Sequence, residues 1–206
     1  MLTTRAWSWT AKPGYKVTVT NSTDAELVES CLAGTREAFD VLVERHQRHV
    51  YQLCYRFVGN HEDASDLAQD VFIRAYRGLP KFKGQASLGT WLYRIGVNVC
   101  LNKIGTKAPK PESLDPLLAA SDQRIASPAE SAPDALLRGE RAEQVRAAIA
   151  RLPRKQRATL ILRVYHELPH EEIAGILGSS VGAVKANFFH ALNNLKKLMV
   201  EAGSGR

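Results

Sequence analysis

A proline-rich segment near the middle of the chain is the feature that most restricts what this sequence can fold into. Five of the nine prolines lie between residues 107 and 133, and no hydrophobic period continues through that stretch. Proline lacks a backbone donor and interrupts helices and central strands, so the stretch indicates a linker. Between residues 111 and 136 it carries five acids and one base, a net charge of −4 in a chain whose total is +7. The sequence therefore predicts two folded blocks joined by an acidic linker.

Both blocks carry the hydrophobic period of helices. A capping-box pattern at Thr23 and Glu26 predicts the start of the first helix, and Val17 and Val19 are at most a short strand. Further helices are predicted over residues 35–58, 62–77, 88–104, 136–150 and 153–167. The predicted fold class is all-α, two small helical domains. The predicted organisation is an N-terminal extension at 1–22, a helical domain at 23–106, the linker at 107–135 and a second helical domain at 136–200.

Charge and composition narrow the function classes. Lys and Arg number 28 against 21 acids, a balance that suits a polyanionic partner. No apolar run reaches the length of a membrane span, and residues 1–22 lack the apolar core of a signal peptide. Three widely spaced cysteines form no CxxC pair, which argues against a disulfide framework or a zinc site. We expect a cytoplasmic protein without a cofactor.

The stretch HEEIAGILGSSVGAVKANFF, residues 170–189, predicts a helix-turn-helix. A short helix ends at Gly178, which supplies the left-handed turn, and a second helix follows with a polar, basic outer face that includes Lys185. Such a helix is suited to the major groove of DNA. Phe189 is an aromatic ring in the middle of that polar face. An ordinary helical hairpin is the alternative for the motif, and a ring folded against Phe188 is the alternative for Phe189.

The first block contains an acidic helix, HEDASDLAQDVFIRAYRG. Asp63, Asp66 and Asp70 share one face, and two arginines lie below them. Carboxylates of this kind suggest a metal site or an acid–base pair. Acids on one exposed helix cannot surround an ion, however, and no second ligand set is visible. We therefore predict no catalytic residue, no metal and no enzyme activity.

The helix SLGTWLYRIGVNVCLNKI carries apolar residues on two sides, with a polar sector between them. Trp91, Arg94, Asn98 and Asn102 share this sector. Amide and guanidinium groups of this kind suit base edges and phosphates. The preceding loop, PKFKGQASLGT, adds lysines and Phe82, which could clamp and stack single-stranded bases. Trp91 as a core residue and Asn98 as the partner of a neighbour are the alternatives.

Two long segments resemble the extracytoplasmic-function (ECF) sigma factors of bacterial RNA polymerase. DASDLAQDVFIRAYRGLPKFKGQASLGTWLYRIGVNVCLNK is similar to their second conserved region. LPRKQRATLILRVYHELPHEEIAGILGSSVGAVKANFFHALNNLKKL is similar to their fourth. The resemblance covers residues 23–199 apart from the linker. It implies a dissociable polymerase subunit that recognises the −10 and −35 promoter elements and promotes DNA melting, without covalent chemistry.

The resemblance also implies partners and site residues. The partners are promoter DNA, the largest and second-largest subunits of core polymerase, and an anti-sigma factor. The residues that bind the clamp of the largest subunit are Asp63, Asp66, Gln69, Asp70, Arg74 and Arg77. Those that bind and melt the −10 element are Lys81, Phe82, Lys83, Trp91, Arg94, Asn98 and Asn102. Those that enter the −35 major groove are Lys185, Ala186, Asn187, Phe189 and His190.

The chain departs from the family pattern in three respects. The recognition helix is poorer in arginine than is usual, and His190 stands where the family more often has one. Residues 1–22 have no counterpart in the family pattern, and no further domain is expected after Arg206. The rival interpretations are an ordinary helix-turn-helix regulator, which would need a dimer interface or a ligand domain, and a metal-dependent nuclease that uses the aspartates.

Overall fold

A computed structural model of the 206-residue chain describes residues 22–106 and 132–204. All regular structure in these two ranges is helical. The α-helices are α1 (Asp24–Leu32), α2 (Arg36–Val58), α3 (His61–Gly78), α4 (Leu88–Thr106), α5 (Ala132–Arg151), α6 (Arg154–Val164), α7 (His170–Leu177) and α8 (Val181–Ser204), with a 3₁₀ turn at Leu79–Lys81. Within the described ranges, no helix is both long enough and apolar enough to cross a bilayer.

Among the described residues, 22–45 form one compact unit, and those from 46 onward form a second. In the first unit, the predicted capping box is confirmed at the start of α1. The hydroxyl of Thr23 accepts from the backbone N–H of Glu26, and the carboxylate of Glu26 accepts from that of Thr23. Arg45 forms an ion pair with Asp24, 2.6 Å away, and donates to the carbonyl of Ser22. These contacts fix α1 against the first turns of α2.

The second unit is built from helix pairs. Helix α3 packs on α4, α7 packs on both α4 and α8, and α5 and α6 pack on α8. The side chains that are at most 1% exposed here are apolar, apart from one threonine: Val50, Leu53, Cys54, Phe57, Ala64, Val71, Ala75, Val97, Cys100, Ala158, Thr159, Ile161, Leu162, Ile173, Val184 and Ala191. Burial of such side chains is the main stabilising term of an all-α fold. The all-α prediction is confirmed.

Most predicted helices agree with the observed bounds, and two ends differ. Helix α5 begins at Ala132 rather than residue 136, which places Pro133 in the first turn, where a missing N–H costs nothing. Helix α6 ends at Val164 rather than Glu167. Glu167 has a φ of 55°, in the left-handed region, and the N–H of Leu168 turns back to the carbonyl of Leu162. Because this left-handed position holds a glutamate rather than a glycine, the sequence does not mark the end of the helix. The hydrophobic period therefore predicts a helix that is three residues too long.

Two expectations lie outside the described residues. These are the extension at 1–22, with its strand at Val17 and Val19, and most of the acidic linker at 107–135.

Candidate nucleic-acid interface

A short polar loop leads into α4 and is fixed at both ends. Its glycine, Gly84, has a φ of 67°, a conformation that a side chain would strain. The hydroxyl of Ser87 accepts from the N–H of Thr90 at 3.1 Å, and its carbonyl accepts from Trp91. Ser87 thus caps the first turn of α4. The loop therefore holds Lys81 and Lys83 at the surface beside the start of that helix.

Trp91 is held between neighbours from two elements. Its ring centroid lies 5.0 Å from that of Phe82 in a tilted arrangement. A Cβ on Gly78 would come within 3.3 Å of the indole, so the absence of a side chain there permits close packing. Trp91 remains half-exposed. Trp91 is therefore partly packed in the fold and keeps an accessible surface, and its contact with DNA stays a prediction.

The polar sector of α4 lies on the surface as the sequence predicts. Arg94, Asn98 and Asn102 are exposed, whereas Leu92 and Val97, on the flanks, are buried. Apolar packing on both flanks fixes the rotation of the helix about its axis. Trp91, Arg94, Asn98 and Asn102 therefore form a continuous surface next to the loop that carries Lys81, Phe82 and Lys83.

The aspartates of α3 do not act as one cluster. The carboxylate of Asp63 lies 2.8 Å from the Nζ of Lys103, and this ion pair raises the pKa of Lys103. Asp63 also accepts from the side-chain amide of Asn60. Asp70 pairs with Arg74 one turn later, at 3.0 Å. Asp66 is exposed.

The remaining predicted polymerase-binding residues of α3 are also at the surface. Gln69, Arg74 and Arg77 are exposed. Ile73 and Tyr76, two apolar side chains that sequence reasoning did not select, are about half exposed among them. The exposed part of α3 is therefore a mixed apolar and charged surface, with Asp63 turned toward α4. Among the described residues, no group of three or more metal-binding side chains converges.

The turn between α7 and α8 has the predicted geometry. Gly178 has φ 57° and ψ 44° and donates to the carbonyl of Ala174, and Ser179 donates to the same carbonyl at 2.9 Å. The hydroxyl of Ser180 accepts from the N–H of Ala183 and caps α8. These bonds satisfy the free backbone groups at both helix ends. They set α8 at a fixed angle to α7, as a helix-turn-helix requires.

The outer face of α8 is open. Lys185, Ala186 and His190 are exposed, and Asn187 is half-buried. Phe189 is 62% exposed, and its ring lies edge-on to His190. Phe188 instead packs edge-on against His170 of α7. Phe188 and Phe189 therefore have separate environments, which disfavours the alternative of a ring folded back on Phe188.

Further along α8, Asn194 is a polar residue that does not face outward. It is half-buried, and its amide donates to Gln156 of α6 at 2.8 Å. The polar face therefore narrows after the first three turns of the helix.

Comparison with known proteins identifies the family of this chain. Residues 42–108 match the family Sigma-70 region 2, and residues 142–195 match Sigma-70, region 4. The RNA polymerase sigma-H factor of Pseudomonas aeruginosa is 34% identical over 88% of this chain and 96% of its own. The ECF RNA polymerase sigma-E factor of Escherichia coli is 37% identical over 82% of this chain and 90% of its own. The chain is an ECF sigma factor.

A solved structure agrees with this assignment. CnrH, in complex with the cytosolic domain of CnrY, superposes with a TM-score of 0.63 at 25% identity and covers 87% of this chain and 99% of CnrH. As a member of the family, the protein directs RNA polymerase to promoters and is not an enzyme. This excludes the nuclease and ordinary-regulator readings, and α8 belongs to the helix-turn-helix of region 4.

Sequence reasoning missed Arg157, a cation within the sigma factor's core. It is 7% exposed in the first turn of α6 and donates to the carbonyls of Ala150 and Phe57. Burial lowers the pKa of its guanidinium to about 10, which leaves it charged at neutral pH. The sequence signal that could have indicated a buried cation is the position of Arg157 directly before the apolar run ATLIL of α6. Its partner Phe57 lies 100 positions away and could not be identified from local pattern.

His166 was also missed. It lies in the turn between α6 and α7, and its Nδ1 is 3.1 Å from the hydroxyl of Tyr93 on α4. The two ring centroids are 4.8 Å apart. Burial lowers the pKa of His166 to about 4, and the nearby charges of His49 and Arg56 add to the effect. Region 2 and region 4 of this sigma factor are therefore in side-chain contact through α4.

Proposed function

We propose that residues 23–106 of this sigma factor bind core polymerase and the −10 element, and that residues 136–200 bind the −35 element. Residues 1–22 would be an extension, and 107–135 a connecting linker. The observation that carries the proposal is the exposed sector of α4 beside the loop of Lys81, Phe82 and Lys83. Region 2 and region 4 each present one polar helix face flanked by buried apolar residues, as two separate reading surfaces require.

At the −10 element, the half-exposed Trp91 and Phe82 offer aromatic faces for stacking unpaired bases. Lys81, Lys83 and Arg94 supply positive charge for the backbone of the strand. Asn98 and Asn102 carry paired donors and acceptors suited to base edges. Binding of extruded bases favours the melted state of the promoter, because duplex DNA does not present those faces.

At the −35 element, the first three turns of α8 enter the major groove. Lys185 contributes a phosphate or base contact, and the exposed ring of Phe189 offers apolar contact to a thymine methyl group. Ala186, Asn187 and His190 complete the face. Since this face carries a single lysine, we expect its affinity to depend more on shape and apolar contact than on phosphate charge.

The exposed residues of α3 bind the clamp of the largest polymerase subunit. Asp66 and Asp70 supply charge, with Gln69, Arg74 and Arg77 beside them. Asp63 contributes indirectly, because its pairing with Lys103 orients α3 on α4. Contacts with the second-largest subunit are assigned to region 4. We place the protein in the cytoplasm, where polymerase and promoters are found.

A regulatory partner also belongs to this proposal. CnrH, which has the same fold, was solved with the cytosolic domain of a second protein bound to it. We propose that an anti-sigma factor binds this sigma factor in the same way and withholds it from core polymerase. A pull-down of the tagged chain from its own cells identifies such a partner by mass spectrometry.

The function is tested by transcription with purified core polymerase on a pool of random duplexes, in which the transcribed sequences are selected and read. Wild type should yield primer-independent transcripts that share a −10 and a −35 motif. Charge reversal at Asp66 and Asp70 should weaken competition for core polymerase at least tenfold while helical circular dichroism is unchanged. Glu143→Lys/Glu201→Lys, at exposed acids of α5 and α8, is the control with the same change in net charge. Unchanged competition by the reversed variant would contradict the assignment of α3.

A further inference from the structure

Helix α8 is held to its two neighbours in region 4 by contacts on two different sides. On one side, the ring of Phe188 packs edge-on against His170 of α7, with 5.9 Å between the ring centroids. On the other side, the side-chain amide of Asn194 donates to the amide oxygen of Gln156, in the first turn of α6, at 2.8 Å. We call this second contact the amide link. Both of its members are half-buried, so water competes with the hydrogen bond only in part.

The apolar contacts of α8 leave its rotation weakly defined. Among the described residues of this helix, the fully buried side chains are the small Val184 and Ala191. Apolar burial is non-directional, and helix interfaces accept other arrangements of hydrophobic side chains when the total volume is kept. A hydrogen bond, in contrast, requires its donor and acceptor at a narrow range of distances and angles. The amide link is therefore suited to fix the rotation of α8 about its own axis.

The two contacts lie where they control the direction in which Phe189 points. At about 100° per residue, Phe188 and Asn194 are about 120° apart around the helix axis. Phe189 lies in the wide arc between them, about 100° from Phe188 and about 140° from Asn194, and it is 62% exposed. Turning α8 by about 20° would move an atom that lies about 6 Å from the axis by about 2 Å. A shift of that size exceeds the tolerance of a hydrogen bond or a close apolar contact with a base.

We propose that Gln156 and Asn194 are positioning residues for recognition of the −35 element. Neither side chain lies on the outer face of α8; the amide link acts by holding Lys185 and Phe189 in the direction of the major groove. The inference rests on the proposed function of α8 as the −35 reading helix. Replacing both partners of such a hydrogen bond by apolar groups of similar shape is nearly neutral or stabilising. The amide link therefore contributes orientation rather than stability.

The test separates orientation from stability. In Gln156→Leu/Asn194→Leu, the double-leucine variant, two apolar side chains of similar size replace the amide link and keep the interface buried. We expect its thermal unfolding midpoint to equal or exceed that of wild type. The quantity that should fall, at least fivefold, is the ratio of holoenzyme affinities for promoters selected in vitro with a matched and with a scrambled −35 element.

Two further variants sharpen this measurement. Gln156→Asn/Asn194→Gln exchanges the two amides, keeps a donor and an acceptor in the interface, and should restore most of the affinity ratio. Gln47→Leu/Gln52→Leu replaces two amides of α2, outside region 4, and is the matched control for the two added leucines. It should keep the wild-type ratio.

A wild-type affinity ratio in the double-leucine variant would overturn the positioning role. A ratio that falls together with the unfolding midpoint would also overturn it, because a contact that serves stability alone behaves in that way. Phe189→Ala is measured alongside. If it lowers the ratio while the double-leucine variant does not, the −35 assignment of α8 stands and only the positioning role fails. If neither lowers the ratio, the −35 assignment fails, and so does the positioning role that rests on it.

Discussion

The two helices that we propose read the promoter, α4 and α8, are built in opposite ways. Helix α4 is packed along both flanks, with Leu92 on one side and Val97 on the other, and α7 covers the groove beside its polar sector. Helix α8 keeps its outer face open, with Phe189 as its most exposed large apolar side chain. The proposed −10 surface is thus cationic and bordered by α7, whereas the proposed −35 surface is open and nearly uncharged. The difference indicates that control of access acts on the −10 side.

The largest expected effect concerns the packed side, where His166 is buried against Tyr93 of α4, with His49 and Arg56 of α2 nearby. Its pKa is about 4 in the folded protein and about 6.5 in an unfolded chain. Between these values the unfolded chain binds a proton that the folded chain does not. The contribution to stability is therefore complete above pH 6.5 and is lost as the pH falls to 4. The loss approaches ~3 kcal/mol.

Urea unfolding at a series of pH values checks this. His166→Phe keeps a ring against Tyr93 and removes the titrating group, so its free energy of unfolding should fall less than that of wild type between pH 6.5 and 4. If the free energies of unfolding of the two proteins change in parallel with pH, His166 is not buried as described. The contrast between a packed α4 and an open α8 would then weaken.

The next effect concerns the aromatic pair of the −10 surface. Trp91→Ala should reduce the affinity of the holoenzyme for a melted −10 strand by about 1–3 kcal/mol, the usual contribution of stacking one base. Trp91→Phe should recover part of the loss, because a smaller aromatic face remains beside Phe82. The measurement is fluorescence anisotropy on a forked promoter selected in vitro. The forked DNA contains the −10 element but no −35 duplex. Phe189→Ala, on the proposed −35 surface, is therefore the control and should bind this DNA as wild type does.

The smallest expected effect concerns the DNA affinity of the open surface on α8. His190 is exposed, so an arginine there fits without disturbing the core and adds a permanent charge with a planar fork. We expect His190→Arg to tighten −35 binding by about 1 kcal/mol and, if the contact is to phosphate, to steepen the salt dependence by about one counterion. Salt titrations on matched and scrambled duplexes separate phosphate contact from base contact. Equal affinity at every salt concentration would mean that His190 does not face DNA.

Local features of the fold were predictable, because each depends on neighbours in sequence. The capping box at Thr23, the left-handed Gly178 and the exposed sector of α4 follow from short-range patterns. The contact between the regions was not predictable. Tyr93 and His166 are 73 positions apart, and Phe57 and Arg157 are 100 apart, with the proline-rich segment between the members of each pair. No periodicity carries information over such separations.

The most direct test concerns the contact of region 4 with region 2, which exists in the free sigma factor and which we expect to open on a promoter. Spin labels at Ser65 of α3 and Glu201 of α8, both exposed, measure the separation by pulsed electron resonance after Cys31→Ser; the other cysteines are buried. The account predicts one short, narrow distance in the free chain and its disappearance on a promoter complex with core polymerase, where the two elements are about 85 Å apart. The same short distance in both states would contradict it.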